Sequence, residues 1–240
     1  MLQKTLFERK MENNSELKSA MLDTIQSMID DGILSRSELI RFSGEEDEYN
    51  PEYIRFKMEK WYKDLGIEDI LGRKFELQLP YFTEEEIKKA YDDGEIVLCV
   101  PKGVTKKQLA KMFNFETWAL DDELITDTTE VEDFWFTTKA TLSPDNMDKP
   151  GREIQRLIQK EGRLGMSLER YMVFIARMRY LTGNTPDIKN KVWLTHGRYE
   201  GKAMLIAGFD SKRKLSVHGW MPNFQSPMVG SRSIYIADHV

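Results

Sequence analysis

Between Gly165 and Gly183 the apolar residues recur at intervals of three and four. Leu168, Tyr171, Met172, Ile175, Met178 and Leu181 fall on one helical face. Val173, Phe174 and Ala176 widen the stripe, and Arg163, Arg170 and Arg177, seven residues apart, mark the face expected in water. Ser167 is a good N-cap, Gly183 a good left-handed stop, and Pro186 lies just beyond. The pattern predicts a long core helix over about 167–182, with the other elements arranged around it.

Toward the N-terminus the period is also helical. Leu17, Met21, Ile25, Met28 and Ile29 form a stripe closed by Gly32, and Ser35 with Glu38 reads as a capping box. Residues 43–51 break the pattern with four consecutive acids between Gly44 and Pro51, after which Ile54, Met58, Trp61 and Leu65 resume it. From Lys74 the period becomes two. Phe75, Leu77 and Leu79 alternate with polar residues, which predicts a half-buried strand ended by Pro80. Thr83 with Glu86 and Thr105 with Gln108 read as capping boxes for helices over about 84–92 and up to Phe113. Ile96–Val100 is a continuous apolar run suited to a central strand, and 134–138 is β-prone. Ile154, Leu157 and Ile158 mark a helix ending near Gly162. Beyond Pro186 only short strands with turns remain, near 192–194, 203–207, 215–217 and 234–236.

These elements predict an α+β protein. A helical N-terminal region (1–72) precedes an α+β domain (73–240), which has a mixed middle and closes in an antiparallel β-meander (187–240). With 40% hydrophobic and 31% charged residues the chain is of ordinary globular composition. No stretch suits a transmembrane helix, and the charged N-terminus does not suit an export signal. The single cysteine, Cys99, excludes an internal disulfide. A cytoplasmic protein of bacterial or phage type, away from membranes, is the expectation.

Charge divides the chain. Residues 1–133 hold 18 Lys and Arg against 31 Asp and Glu, whereas 134–240 hold 17 against 9. The halves attract one another, or the basic half meets an anionic partner.

Sites of chemistry are scarce. Cys99 sits in an apolar strand where a thiol is inert, and there is no nucleophile elbow, Walker loop or dinucleotide fingerprint. His196, His218 and His239 lack metal-ligand spacing. Asp121, Asp122 and Asp127 could supply oxygen ligands to a divalent cation, or form a solvated acidic loop. Residues 104–113 look like the first helix of a helix-turn-helix, but the acids that follow would repel DNA. In the last third, bases alternate with aromatics: Arg198, Tyr199, Lys202, Lys212, Arg213, Lys214, His218, Trp220 and Arg232. That mixture suits single-stranded nucleic acid or a protein partner, and equally the core of a small β-unit.

The terminal segment, with Trp193, Gly201-Lys-Ala, Gly208-Phe-Asp-Ser, Leu215-Ser-Val, Trp220 and Val229-Gly-Ser-Arg232, resembles the closing region of uncharacterised bacterial proteins of unassigned function. The run from Glu95 to Leu109 is similar to the same group, so the resemblance spans roughly 94–237. It implies no activity, cofactor or site residue. The closing Gly230-x-Arg232 is also similar to the final strand of C-type-lectin-like folds, which would imply ligand or protein display. The expected function is that of a non-catalytic protein–protein interaction module without cofactors. The alternatives are a single-stranded nucleic-acid binder acting through the basic β-unit, and a metal-dependent enzyme using the acidic loop.

Overall fold

Asn50 accepts hydrogen bonds from the backbone N–H groups of Glu52 and Tyr53 and, with Pro51 at the first helical position, opens α1 (Pro51–Asp64). The structure is a computed structural model, and it describes residues 48–120, 123–125, 129–210, 212 and 214–237. The helices expected between 17 and 42 lie outside the described residues. Along α1 the stripe Ile54, Met58 and Trp61 is buried, joined by Tyr62, whose hydroxyl donates to Cys99 O at 2.7 Å. A short helix, α2 (Ile67–Leu71), follows. The division expected near residue 72 does not appear, because one unit runs from Tyr49 to the end of the chain. Trp61 stacks on Phe113 and Tyr62 meets Phe75, so α1 belongs to the same core as the strands.

Residues 74–79 alternate in burial at Phe75 and Leu77, as a strand would, yet they join no sheet. Side chains satisfy the backbone instead. Glu68 accepts from Phe75 N, Glu59 from Leu77 N and Asp133 from Gln78 N, while Trp135 Nε1 donates to Gln78 O. Period two therefore records an extended chain with one wet face, and hydrogen-bond partners decide whether it becomes a strand.

Both capping boxes form. Thr83 opens α3 (Glu84–Asp92) and Thr105 opens α4 (Lys106–Phe113). Between them lies β1 (Glu95–Val100), paired antiparallel with β2 (Phe134–Lys139) so that Cys99 faces Trp135. β1 is not central in a larger sheet. Its apolar run is buried because α1, α3 and α6 pack on a two-stranded ribbon. After β2 come α5 (Gly151–Lys160), β3 (Leu164–Gly165) and α6 (Leu168–Thr182). Ser167 Oγ accepts from Arg170 N at the start of α6, and Gly183 closes it at φ 70°. Tyr171, Met172, Val173, Phe174 and Ile175 are fully buried. Three expectations on this helix fail: Leu181 is exposed, Arg170 is buried, and Arg177 is half-buried over the Trp61 and Tyr180 rings.

The largest sheet has the order β6–β5–β4–β7, from β4 (Lys191–Tyr199), β5 (Ala203–Phe209), β6 (Leu215–Trp220) and β7 (Val229–Ser231). The first three pair antiparallel with their sequence neighbours. β7 runs parallel to β4, so this sheet is mixed, not purely antiparallel. The reason is the long return of 221–228, which passes the start of α5 (Arg152 N donates to Pro222 O) and enters beside Lys191. Both faces are covered: Val192, Leu194, Leu205, Ala207 and Val217 join the main core, while Trp193, Met204, Ile206 and Val229 pack on Ile154 and Ile158 of α5. Burial on two sides explains the unbroken apolar run of β5.

The last strand, β8 (Ser233–Ile234), pairs with β3, and Tyr235 exchanges two backbone bonds with Thr137 of β2. His196 N donates to Met166 O just after β3. Main-chain bonds thus link β1–β2 through β8 and β3 to β4, and α6 contacts both β1 and β4. The chain is α+β, and no helix among the described residues is long and apolar enough to cross a membrane.

Candidate functional site

The basic and aromatic residues of the terminal β-unit do not gather on one surface. Arg198 donates to the carbonyls of Thr195 and Gly197 on its own strand. Tyr199 meets Trp118 edge-on, with ring centroids 6.1 Å apart. Lys202 precedes β5, whereas Lys212 and Lys214 follow it. At about 3.3 Å per residue this sets them roughly 20–25 Å apart. Lys214 pairs with Glu116, and Arg213 lies outside the described residues. His218 Nε2 is 2.8 Å from Ser216 Oγ, and Trp220 packs between Trp193 and Phe224 on the face toward α5.

Arg232 is no surface cation. It is buried, donates through Nε and Nη2 to the Asp187 carboxylate at 2.9 and 2.8 Å, and lies over the Phe174 ring. Its guanidinium also reaches Thr141 O and Oγ1, and the Tyr171 hydroxyl donates to Asp187. The cluster fastens the closing strand to α6 and the 187 turn. Only the tertiary fold could turn this cation inward, since nothing in its local sequence pairs it with Asp187.

The candidate metal ligands Asp121, Asp122 and Asp127 lie outside the described residues, as does His239. Among the described residues no group of three or more His, Cys, Asp or Glu could hold a metal ion. Cys99 is fully buried, and burial with the fields of Asp133 and Glu130 pushes its thiol well up. After α4 the described residues carry only a 3₁₀ turn (Trp118–Leu120) before β2, so no second helix follows there.

A cleft does form where the acidic segment meets β2. It encloses about 210 Å³ between Tyr81–Phe82, Glu130–Trp135 and Ile236–Ala237. Its floor is fastened by Asp133, whose two oxygens accept from Gln78 N and Lys102 N at 2.7 and 2.8 Å. One wall is held from α6: Arg170 donates to Glu130 at 3.0 and 2.8 Å and stacks 3.8 Å over Phe134. The rim is apolar and open, with Val131 81% exposed and Tyr81 44%.

Three carboxylates, Glu130, Glu132 and Asp133, line the cleft, and Arg170 offsets one of them. Burial pushes the Glu130 carboxyl up against the pull of Arg170. The Tyr81 phenol is also pushed up, first by desolvation and then by Glu132. Aromatic walls in a negative field suit a cation on an apolar stem. By sequence, 134–138 is β-prone and Glu130, Glu132 and Asp133 belong to no expected site. The signal that could have joined them is their adjacency, Glu130 to Phe136.

A second open apolar surface, Met221, Phe224 and Met228, sits on the return loop before β7. Comparison of the chain with protein-family models, with curated proteins and with solved structures finds no match, so the function must be read from the geometry alone.

Proposed function

We propose that this chain is a non-catalytic interaction protein that docks a segment of a protein partner in the Tyr81–Trp135 cleft. The segment it suits carries a Lys or Arg beside an apolar residue. The observation that carries this reading is the pairing of aromatic walls with a surplus of carboxylates at one open, apolar-rimmed cleft. A Lys or Arg side chain can lay its methylenes along Phe82 and Val131 and bring its charge to Glu132. A cation over an aromatic face contributes about 0.5–2 kcal/mol, according to how far it is desolvated. The Met221–Met228 surface is apolar without a charge to select a partner, which is why the cleft is preferred. Nucleic acid is disfavoured at the cleft by its sign, and the basic residues of the β-unit are dispersed. A cytoplasmic setting fits the single buried thiol, and the resemblance over 94–237 adds no activity to this reading.

The test is a random-sequence hexapeptide array probed with the full chain, followed by NMR titration of the best peptides. The expected hits are enriched in Lys or Arg next to an apolar residue and perturb residues 81–82, 130–135 and 236–237. Glu132→Lys should weaken them about tenfold or more, and Val131→Asp should do likewise. Hits without charge preference, or hits indifferent to both substitutions, would overturn the proposal. So would tight, salt-sensitive binding of single-stranded DNA or RNA in place of peptide.

A further inference from the structure

We infer that the face of the largest sheet carrying Lys191, Ser216 and His218 binds a phosphoryl dianion. Lys191 and Ser216 contact its oxygens, and His218 holds the Ser216 hydroxyl from behind. None of the three lines the acidic cleft.

Strand register brings the groups together. Lys191 of β4 lies opposite Gly208 of β5, and Gly208 lies opposite Ser216 of β6, so the three form one row across the sheet. His218 stands in the next row, opposite Ile206. Residues opposite one another in an antiparallel pair share a face. Here it is the face on which Trp193 and Ile206 pack against α5. The row spans two strand spacings, about 10 Å. Gly208 opens the way across it, because a Cβ there would lie 3.0 Å from Lys191 Cγ and 2.6 Å from Asn190 O. The Lys191 stem therefore passes over Gly208, and its charge reaches His218 on β6.

The cluster is positive and uncompensated. Lys191, Ser216 and His218 are each half-buried and keep accessible surface. Burial lowers the Lys191 pKa, and no carboxylate among the described residues raises it. Burial and then the Lys191 charge lower that of His218, again with no carboxylate opposing them. The acids of the adjoining segments are engaged elsewhere. Asp210 accepts from Lys212 N and Lys214 N, Glu116 pairs with Lys214, and Glu153 of α5 pairs with Lys149. The return loop 221–228 carries no charged residue. A partly desolvated cation without a counter-ion is costly, and an anion that completes it recovers that cost.

The histidine couples the site to protons. Its Nε2 lies 2.8 Å from Ser216 Oγ. When neutral, that nitrogen can accept the hydroxyl proton. When protonated it donates to Oγ, and the hydroxyl proton turns outward. An anion on Ser216 therefore favours protonated His218, which adds a second positive charge to that of Lys191. Two charges select a phosphomonoester dianion over a carboxylate or a phosphodiester, each of which carries one. The face is open, so the phosphoryl group can be free or carried on a larger molecule.

The experiment titrates the full chain with sulfate, inorganic phosphate, O-phosphoserine and acetate at up to about 20 mM, following backbone amides and the His218 ring by NMR. Sulfate keeps both charges at every pH used, so it isolates the histidine. The expected result is saturable binding of the three dianions with shifts at 191, 208, 216 and 218, and acetate about tenfold weaker or more. Sulfate should bind several-fold more tightly at pH about 5.5 than at about 7.5. Lys191→Met keeps the stem and should weaken sulfate about tenfold, Ser216→Ala should weaken it several-fold, and His218→Gln should remove the pH dependence. O-phosphoserine binding more tightly than inorganic phosphate assigns a phosphomonoester as the ligand, and the reverse order assigns free phosphate; either order upholds the inference. It is overturned if no dianion binds, if acetate binds as tightly, if sulfate affinity is indifferent to pH, or if Lys191→Met changes nothing. Should Lys191→Met fail to fold, Ser216→Ala and the pH dependence decide. None of these outcomes bears on peptide binding in the cleft.

Discussion

The sharpest energetic consequence of the fold concerns Asp187. Its side chain is fully buried and accepts two bonds from Arg232 and one from Tyr171, while the Arg232 side chain is 2% exposed. Asp187→Asn keeps the shape and removes the charge. Arg232 is then left as a buried cation whose nearest neighbour presents an amide N–H₂ in place of one carboxylate oxygen. Removing one partner of a buried pair costs about 3–5 kcal/mol. For a unit of this size each kcal/mol lowers Tm by about 2–4 °C, so a fall of roughly 6–20 °C is expected. Thermal unfolding followed by circular dichroism, with urea midpoints as a cross-check, measures it. The triple change Asp187→Leu, Arg232→Met and Tyr171→Phe removes the polar cluster as a whole and should recover more than half of that loss, because no charge or hydroxyl is stranded. A fall of less than about 2 °C for Asp187→Asn would refute the reasoning and mean that water solvates Arg232.

Three further outcomes follow from the same structure. Ile175→Ala, at a fully buried position on α6, should cost about 2–5 kcal/mol in denaturant unfolding, and an unchanged midpoint would remove it from the core. Gly165→Ala would drive a Cβ into Thr195 Oγ1 where β3 passes β4, so a loss of about 1–3 kcal/mol is expected by the same assay. His196 and His218 both have their pKa lowered from 6.5, first by desolvation and then by nearby cations: Arg170 and Arg198 for His196, Lys191 for His218. The unfolded chain therefore binds protons at these sites that the folded chain resists, so stability is full above pH 6.5 and declines as pH falls below it. Urea midpoints at pH about 7.5 and about 6 should differ less in a His196→Gln, His218→Gln variant than in the natural chain.

Local devices were legible because they depend on residues a few positions apart. The capping boxes at Thr83 and Thr105, the Ser167 cap and the left-handed Gly183 all follow from short-range hydrogen bonding and backbone sterics. The candidate sites were not legible, because each needs residues far apart in the chain. Arg170 reads as a solvent marker by its seven-residue spacing, yet Glu130, forty positions earlier, and the Phe134 ring draw it inward. Likewise Arg163 finds Glu95, and Ser231 comes to lie against Asn146, far from it in the chain. What the sequence by itself determined is where the chain turns, caps and alternates. Which charges meet, which strands share a sheet and which clefts stay open were decided by the tertiary structure, since burial and pairing depend on distances that no local pattern contains.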